Sequence, residues 1–179
     1  MGNQPEYPKL YSSYSDTITT AFYNGIMELI TDRNTYKYAE IFPAAPIVRT
    51  NAKDEIIDLA REKHYPTLTA RSLYGTLNGA CDADKGYIIA DDLIGGIEEA
   101  LNKDRLDSAW SKVDNNLIPR GKETTKHLWI GTRWSIYDPT GRRMALLEND
   151  EKFKTEDGRL SICPPWMRTM KAISSTNTA

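Results

Sequence analysis

The sequence predicts an α/β fold in which a mainly parallel β-sheet is flanked by helices. Segments with the pattern of strands alternate along the chain with segments of helical periodicity. The apolar run at 86–90 has no polar alternation, which is typical of a parallel strand covered on both faces. A second apolar run, at 126–132, follows the longest amphipathic segment. This order of elements favours a layered domain with helices packed against a parallel sheet.

Four segments have the spacing or the end signals of helices. Ser15 or Asp16 is expected to cap the first helix, and Asp138-Pro139 starts the last one with an N-cap followed by proline. The predicted helices are 16–31, 34–42, 97–117 and 139–148. The predicted inner face of the long third helix consists of Ile97, Leu101, Ala109, Trp110, Val113 and Leu117.

The remaining apolar segments predict strands. Residues 47–63 match both a helix and two strands around an Asn-Ala-Lys-Asp turn, and we favour the strands. Residues 126–132 are expected to be as deeply buried as 86–90. The other predicted strands are 8–14, 67–74 and 160–162.

Composition excludes some classes of protein. The chain has 179 residues, a formal net charge of −2 and a pI of about 5.8, so nucleic acid would have to bind through a local patch or a partner. Cys81 and Cys163 form no CxxC motif, which favours a reducing, cytoplasmic compartment. His64 and His127 are isolated, so no zinc site is expected. No apolar run approaches the roughly 18 residues of a membrane span.

Two adjacent carboxylates, Asp91 and Asp92, directly follow the apolar run at 86–90. The carboxyl end of a parallel strand is where α/β folds usually bind ligands. Two neighbouring carboxylates repel each other unless a cation neutralises them, and Mg²⁺ favours one or two carboxylates together with substrate phosphates. The pair therefore indicates a Mg²⁺ site, although a simple loop that caps the next helix is the alternative.

A second motif follows the next strand. Residues 127–143, HLWIGTRWSIYDPTGRR, place a Gly-Thr-Arg-Trp loop after a strand and a capping aspartate before a helix. The combination of both motifs resembles the large terminase subunit of tailed bacteriophages, the motor that packages DNA into capsids. The residues that carry the resemblance are Ile88–Asp92, Glu98–Ala100, Trp110, Ile130–Trp134, Asp138 and Gly141-Arg142.

The resemblance extends upstream, and it implies a domain assignment. The stretches YSSYSD, EIFP and LTARSLYGTLNGACDAD resemble the family's segments between its nucleotide-binding loop and its magnesium-binding strand. Residues 1–163 would then be a partial ATPase domain of the P-loop NTPase type. Residues 164–179 are expected to form a disordered tail, because their last part, MKAISSTNTA, is small and polar.

The resemblance also implies roles for individual residues. Asp91 would bind Mg²⁺, and Asp92 would take the place of the catalytic acid that positions the hydrolytic water beside the nucleotide. Thr132 would sense the γ-phosphate and couple hydrolysis to movement. Arg133 would contact a phosphate, with a structural ion pair as the alternative. Ser135 stands where the family usually has histidine, so no role is carried over to it.

The cofactors and partners implied are those of the family. They are Mg²⁺ and ATP, double-stranded DNA, the portal and the small terminase subunit, in the host cytoplasm. Basic residues near the second motif could form a DNA-facing patch or a solvated charged face. They are Arg120, Lys122, Lys126, Arg133, Arg142 and Arg143.

Two parts of the family pattern do not occur in this sequence. The phosphate-binding motif G-x-x-x-x-G-K-[ST] is missing, and Gly75 and Gly79 have no lysine after them. The acidic nuclease domain is missing as well. We therefore expect weak or no ATP binding and hydrolysis by this chain alone.

Two other functions remain open. The chain could be a non-catalytic binding module that pairs with a separate amino-terminal half. It could also be a metal-dependent nuclease that uses Asp82, Asp84, Asp91 and Asp92, although that leaves the Gly-Thr-Arg-Trp loop unexplained.

Overall fold

A computed structural model describes residues 1–149 of the chain. The chain divides into two compact units, residues 1–144 and 145–179. The first unit contains the whole sheet, and the described part of the second, 145–149, is the end of the last helix. The predictions of a strand at 160–162 and of a disordered tail at 164–179 lie outside the described residues, as does Cys163.

The first unit is built on one six-stranded sheet with the order β2-β3-β4-β1-β5-β6. The pairs β1–β4, β1–β5 and β5–β6 are parallel, whereas β2–β3 and β3–β4 are antiparallel. The predicted α/β fold with a mainly parallel sheet is confirmed, with an antiparallel hairpin added at one edge. The strands are β1 (Lys9–Ser13), β2 (Ile47–Asn51), β3 (Ile56–Leu59), β4 (Leu68–Ser72), β5 (Tyr87–Asp91) and β6 (Lys126–Ile130).

Five α-helices are described, and most begin where a polar side chain caps them. Of the two predicted caps of the first helix, Ser15 is the one that acts, because its side chain accepts a hydrogen bond from the Ile18 amide. The second helix is shorter than the predicted 34–42, because Asp32 Oδ1 accepts from the amides of Asn34 and Thr35 and holds a turn there. The helices are α1 (Asp16–Thr31), α2 (Tyr38–Ile41), α3 (Ile97–Ala100), α4 (Lys103–Lys112) and α5 (Pro139–Asn149).

The strands preferred for the ambiguous segment 47–63 are confirmed, because β2 and β3 form an antiparallel hairpin. Asn51 Oδ1 accepts from the amides of Lys53 and Asp54, at 3.0 and 3.1 Å, and so closes the turn. A side chain that bonds to the backbone two or three residues ahead stabilises a turn and competes with a helix.

The prediction of one continuous helix at 97–117 is wrong. The Asn102 side chain accepts a hydrogen bond from the Arg105 amide and starts a new helix, α4. α4 is followed by a π-helical turn at Val113–Leu117 and a 3₁₀ turn at Ile118–Arg120. Ile97 and Leu101, placed on the inner face by periodicity, are 52% and 80% exposed. The other predicted inner-face residues are buried or pack against the core, namely Ala109, Trp110, Val113 and Leu117.

Two apolar clusters cover the two faces of the sheet. On one face, Leu10, Ile88 and Ala90 belong to a cluster that includes residues of α4 and the π-helical turn. On the other face, Tyr11 and Ala70 belong to a cluster that includes residues of α1. Helix α1 contacts β1 and β4, and this second face is less well covered at β5 and β6.

That uneven cover contradicts the expected burial of the last two strands. In β5, Ile88 and Ala90 are buried, but Ile89 is only half-buried. In β6, Leu128 and Ile130 are 48% and 39% exposed. The predictions that 86–90 is covered on both faces and that 126–132 is deeply buried are therefore wrong. Among residues 1–149, β6 pairs only with β5, so it is an edge strand.

Candidate functional site

The carboxyl ends of three parallel strands meet at the Asp91-Asp92 pair. β6 lies beside β5, with Asp91 in register with Ile130, and the Asp92 amide donates to the Ile130 carbonyl oxygen at 3.0 Å. From the end of β1, the Tyr14 amide donates to the Asp92 carbonyl oxygen at 3.1 Å. This edge of a parallel sheet is where α/β folds usually place ligands.

Asp91 is half-buried and is held from one side. The Tyr11 hydroxyl donates a hydrogen bond to Asp91 Oδ2 at 2.6 Å. Burial, followed by the hydrogen bond to Asp91, raises the pKa of Tyr11 well above its usual range, so the phenol keeps its proton. Within residues 1–149, no hydrogen-bond donor occupies Asp91 Oδ1. One carboxylate oxygen is thus fixed by the protein and the other remains available to a ligand.

Asp92 is exposed and has a strained backbone. Its φ of 39° lies in the left-handed region, which costs a non-glycine residue about 1 kcal/mol. Its carboxylate lies against Gly131, because a Cβ on Gly131 would be 3.1 Å from Asp92 Oδ1. Asp92, Thr132, Trp134 and Thr140 all line one shallow cleft, and Asp91 is not part of its lining. The structure therefore brings Asp92 and Thr132 together and leaves Asp91 on the side of Tyr11.

A buried carboxylate, Asp138, anchors the loop that carries Thr132. Asp138 is 2% exposed, and its Oδ2 accepts from the amides of Trp134 and Ser135, both at 3.1 Å. Its Oδ1 accepts from the Gly141 amide at 2.7 Å, which confirms the predicted helix cap. The Arg133 guanidinium adds an ion pair at 3.1 Å. The sequence indicates only the cap, because the other three donors lie in the preceding loop.

Arg133 makes the structural ion pair that was the alternative to phosphate contact. Besides Asp138, it donates to the Ser135 carbonyl oxygen at 3.1 Å and contacts Met144 Sδ at 3.0 Å. A Cβ on Gly141 would lie 2.6 Å from the Ile136 carbonyl oxygen and 3.0 Å from Arg133 Cζ. The glycine of the D-P-x-G-R pattern thus makes room for Arg133, a role that the sequence alone did not indicate.

The two residues after Arg133 serve different purposes. Trp134 is 41% exposed and lines the cleft beside Asp92. The Ser135 hydroxyl accepts from the Tyr137 amide at 3.1 Å and stabilises the turn that leads into Asp138. The Ser135 side chain therefore supports the loop, and among residues 1–149 it makes no hydrogen bond to Asp91 or Asp92.

The donor set at this edge fits a cation that keeps most of its water. Mg²⁺ commonly takes one or two carboxylates and completes its shell with water and substrate phosphates. Asp91 can provide one such carboxylate through Oδ1. Among the described residues, no group of three or more His, Cys, Asp or Glu could hold a metal ion. A site that encloses its metal entirely in protein ligands is therefore not what residues 1–149 provide.

The four aspartates of the nuclease alternative do not form one cluster. Asp82 is paired with Lys122 at 2.7 Å, and Asp84 accepts a hydrogen bond from Thr124 at 2.5 Å. Both precede β5, whereas Asp91 and Asp92 lie at its end, and a strand of this length spans about 13 Å. The geometry does not support the nuclease hypothesis, because the four carboxylates lie at opposite ends of one strand.

Comparison with known proteins adds no family assignment. No protein-family model matches the chain, and no curated protein matches it at a significant level. None of the helices in residues 1–149 is both long and apolar enough to cross a membrane. The resemblance to terminases therefore rests on the motifs in the sequence alone.

Proposed function

We propose that this chain is part of a viral DNA-packaging motor of the large-terminase class, which couples ATP hydrolysis to the translocation of double-stranded DNA into a capsid. One observation carries the proposal. The ends of β5 and β6 are parallel neighbours, and Asp92 and Thr132 line the same cleft. An ATPase of the P-loop type needs its Mg²⁺ ligand, its catalytic acid and its coupling residue around one nucleotide. The shared cleft of Asp92 and Thr132 supports this for the last two, and Asp91 precedes Asp92 at the same strand end.

Each residue at this edge has a distinct role in the proposal. Asp91 binds Mg²⁺ through its available oxygen, and Asp92 orients the attacking water from the cleft. Thr132 responds to the γ-phosphate at the end of the neighbouring strand. Arg133 and Asp138 hold the Thr132 loop in place, so a movement of the loop is passed to α5. Bound Mg²⁺ would neutralise charge on the phosphates during transfer.

The proposed motor needs parts that this sequence does not contain. The G-x-x-x-x-G-K-[ST] motif is not present, so another polypeptide segment has to bind the phosphates of ATP. The DNA, the portal and the small terminase subunit are proposed partners by family resemblance, and the host cytoplasm is the proposed location. The first test is to sequence the coding DNA on both sides of this reading frame.

That DNA should encode a strand-GxxxxGK[ST]-helix upstream and an acidic nuclease domain downstream, in any frame. If the flanks encode neither, the motor proposal is overturned and the binding-module function takes its place.

The purified chain should show no measurable ATP turnover at saturating Mg-ATP. Removing the charge-assisted bonds of a phosphate cradle costs most of the nucleotide affinity, at about 1.4 kcal/mol for each factor of ten. A phosphate-release assay measures this directly, with Asp91→Asn as the control variant. Robust turnover that Asp91→Asn abolishes would contradict the expectation.

A second candidate function is a binding module that pairs with a separate amino-terminal half. The observation that favours it is β6, which among residues 1–149 is an edge strand and whose Leu128 and Ile130 are half-exposed on the sheet face that α1 leaves uncovered. An edge strand offers unpaired backbone groups to an added strand. A groove of about 520 Å³, lined in part by Tyr87, Ile89 and Leu128, lies on that face.

A pull-down against the amino-terminal half, once identified, separates the two functions. The binding module requires a stable complex, whereas the motor also requires ATP turnover by that complex. A stable complex that hydrolyses no ATP would favour the binding module.

Replacing Leu128 by lysine should reduce self-association of the isolated chain. A charge on the apolar face of an edge strand opposes edge-to-edge pairing. Static light scattering over a concentration series would measure the change. Leu29→Lys is the matched control, because Leu29 is similarly exposed, at 40%, but lies on helix α1. Equal effects of both substitutions would show that β6 is not the associating surface.

A further inference from the structure

We propose that Tyr11 is a positioning residue for the cation at Asp91, an inference that rests on the proposed function. The hydroxyl donates to Asp91 Oδ2 at 2.6 Å, from a strand 80 positions earlier in the chain. The hydrogen bond fixes which carboxylate oxygen faces the protein. It thereby fixes the orientation of Asp91 Oδ1 toward a ligand.

The Tyr11 side chain is held tightly enough to do this. It is 2% exposed, and its ring stacks on Phe22 of α1 with centroids 3.7 Å apart and an interplanar angle of 1°. Its position in the sheet is set as well, because Tyr11 lies in register with Ile89, two residues before Asp91 on the neighbouring strand. Sheet register and ring stacking together fix the position of the Tyr11 hydroxyl. The hydroxyl therefore stays in place even if the Asp91 carboxylate rotates.

The chemistry of the pair suits a cation site that is only partly built from protein. A phenol hydroxyl donates a single hydrogen, so it engages one carboxylate oxygen and leaves lone pairs of the other for a metal. Hydrogen bonds from residues behind a metal ligand orient that ligand, and losing one typically weakens metal binding 10- to 100-fold. A purely structural hydrogen bond would instead affect only stability.

Tyr38 provides the matched control for this distinction. It belongs to the same apolar cluster as Tyr11, and its hydroxyl donates to the Ala45 carbonyl oxygen at 3.1 Å. Tyr38→Phe therefore removes a buried tyrosine hydrogen bond of similar kind, without touching Asp91. Each Tyr→Phe substitution should lower the thermal melting temperature by a few degrees, since each loses one hydrogen bond.

The experiment is a titration of the whole chain with MnCl₂ alone, with free Mn²⁺ followed by electron paramagnetic resonance. We expect Tyr11→Phe to weaken Mn²⁺ binding about tenfold. Tyr38→Phe should bind like the wild type, and Asp91→Asn should bind most weakly. Phe22→Leu, which keeps the hydroxyl but removes the stacked ring, should weaken binding about threefold and serves if Tyr11→Phe fails to fold.

The outcomes distinguish the role of Tyr11 from the proposed metal binding by Asp91. Wild-type affinity in both Tyr11→Phe and Phe22→Leu, with a loss in Asp91→Asn, overturns the role of Tyr11 and leaves the proposed metal ligand standing. Equal weakening in Tyr11→Phe and Tyr38→Phe also overturns it, because the effect would then be general to the core. If Asp91→Asn binds Mn²⁺ as well as the wild type, the metal assignment of the proposed function fails first.

Discussion

Replacing Gly86 by alanine should lower the free energy of unfolding by about 3 kcal/mol or more. A Cβ at this position would overlap the Pro8 carbonyl oxygen and lie 2.9 Å from the Pro8 carbonyl carbon. Both atoms belong to the backbone just before β1, so they cannot move aside as the end of a flexible side chain could. Either β1 or β5 would have to shift.

The position matters because it starts the central parallel strands. The Tyr87 amide donates to the Pro8 carbonyl oxygen at 3.1 Å, and the Lys126 amide donates to the Gly86 carbonyl oxygen at 3.0 Å. Gly86 therefore lies where β5 joins both β1 and β6. Displacing it also disturbs the register that places Tyr11 against Asp91.

Gly25→Ala is the control, because it makes the same chemical change in open space. Gly25 lies in the interior of α1, is exposed, and has no atom within 4 Å of the position of an added Cβ. Alanine there should raise the free energy of unfolding by about 0.5–1 kcal/mol, since helical glycine is unfavourable. Urea unfolding measures both variants. A Gly86→Ala protein as stable as the wild type would contradict the prediction, because β1 and β5 could then move apart with little loss of free energy.

Local signals in the sequence were enough to predict most elements. The Ser15 and Asp138 caps and the Asn51 turn are short-range hydrogen bonds between residues a few positions apart, so their residue types indicate them. The same rule explains one error. Asn102 lies within a continuous helical periodicity, and the apolar spacing on both sides led to the prediction of one helix, whereas its side chain caps a new one.

The burial of β6 and the contacts of Asp91 could not be predicted in the same way. Whether an apolar strand is covered depends on which helices pack over it, and periodicity does not contain that information. The hydrogen bond from Tyr11 to Asp91 joins residues 80 positions apart, and only the order of the sheet strands brings them together. The pair Asp91-Asp92 was found from sequence, whereas Tyr11, which donates a hydrogen bond to Asp91, was not.

Replacing Asp138 by alanine should cost about 3 kcal/mol, because it removes a buried carboxylate and leaves four donors, most of them part-buried, without this partner. Three amides and the Arg133 guanidinium converge on this carboxylate, which is 2% exposed. Asp138→Asn should cost less, since one amide oxygen can still cap α5. Urea unfolding should therefore rank the wild type above Asp138→Asn and Asp138→Ala last.

Asp107→Ala tests whether the loss of stability in Asp138→Ala comes from the burial of the carboxylate or from ion pairing alone. Asp107 also has two basic partners, Lys103 and Arg142, but its side chain is 41% exposed. Solvent screens such pairs, so its removal should leave stability nearly unchanged. A loss as large as that of Asp138→Ala would contradict the argument. If the ranking holds, the Thr132 loop owes its place opposite Asp92 to Asp138, the buried residue that caps α5, and the loop cannot shift without changing the bonds of Asp138.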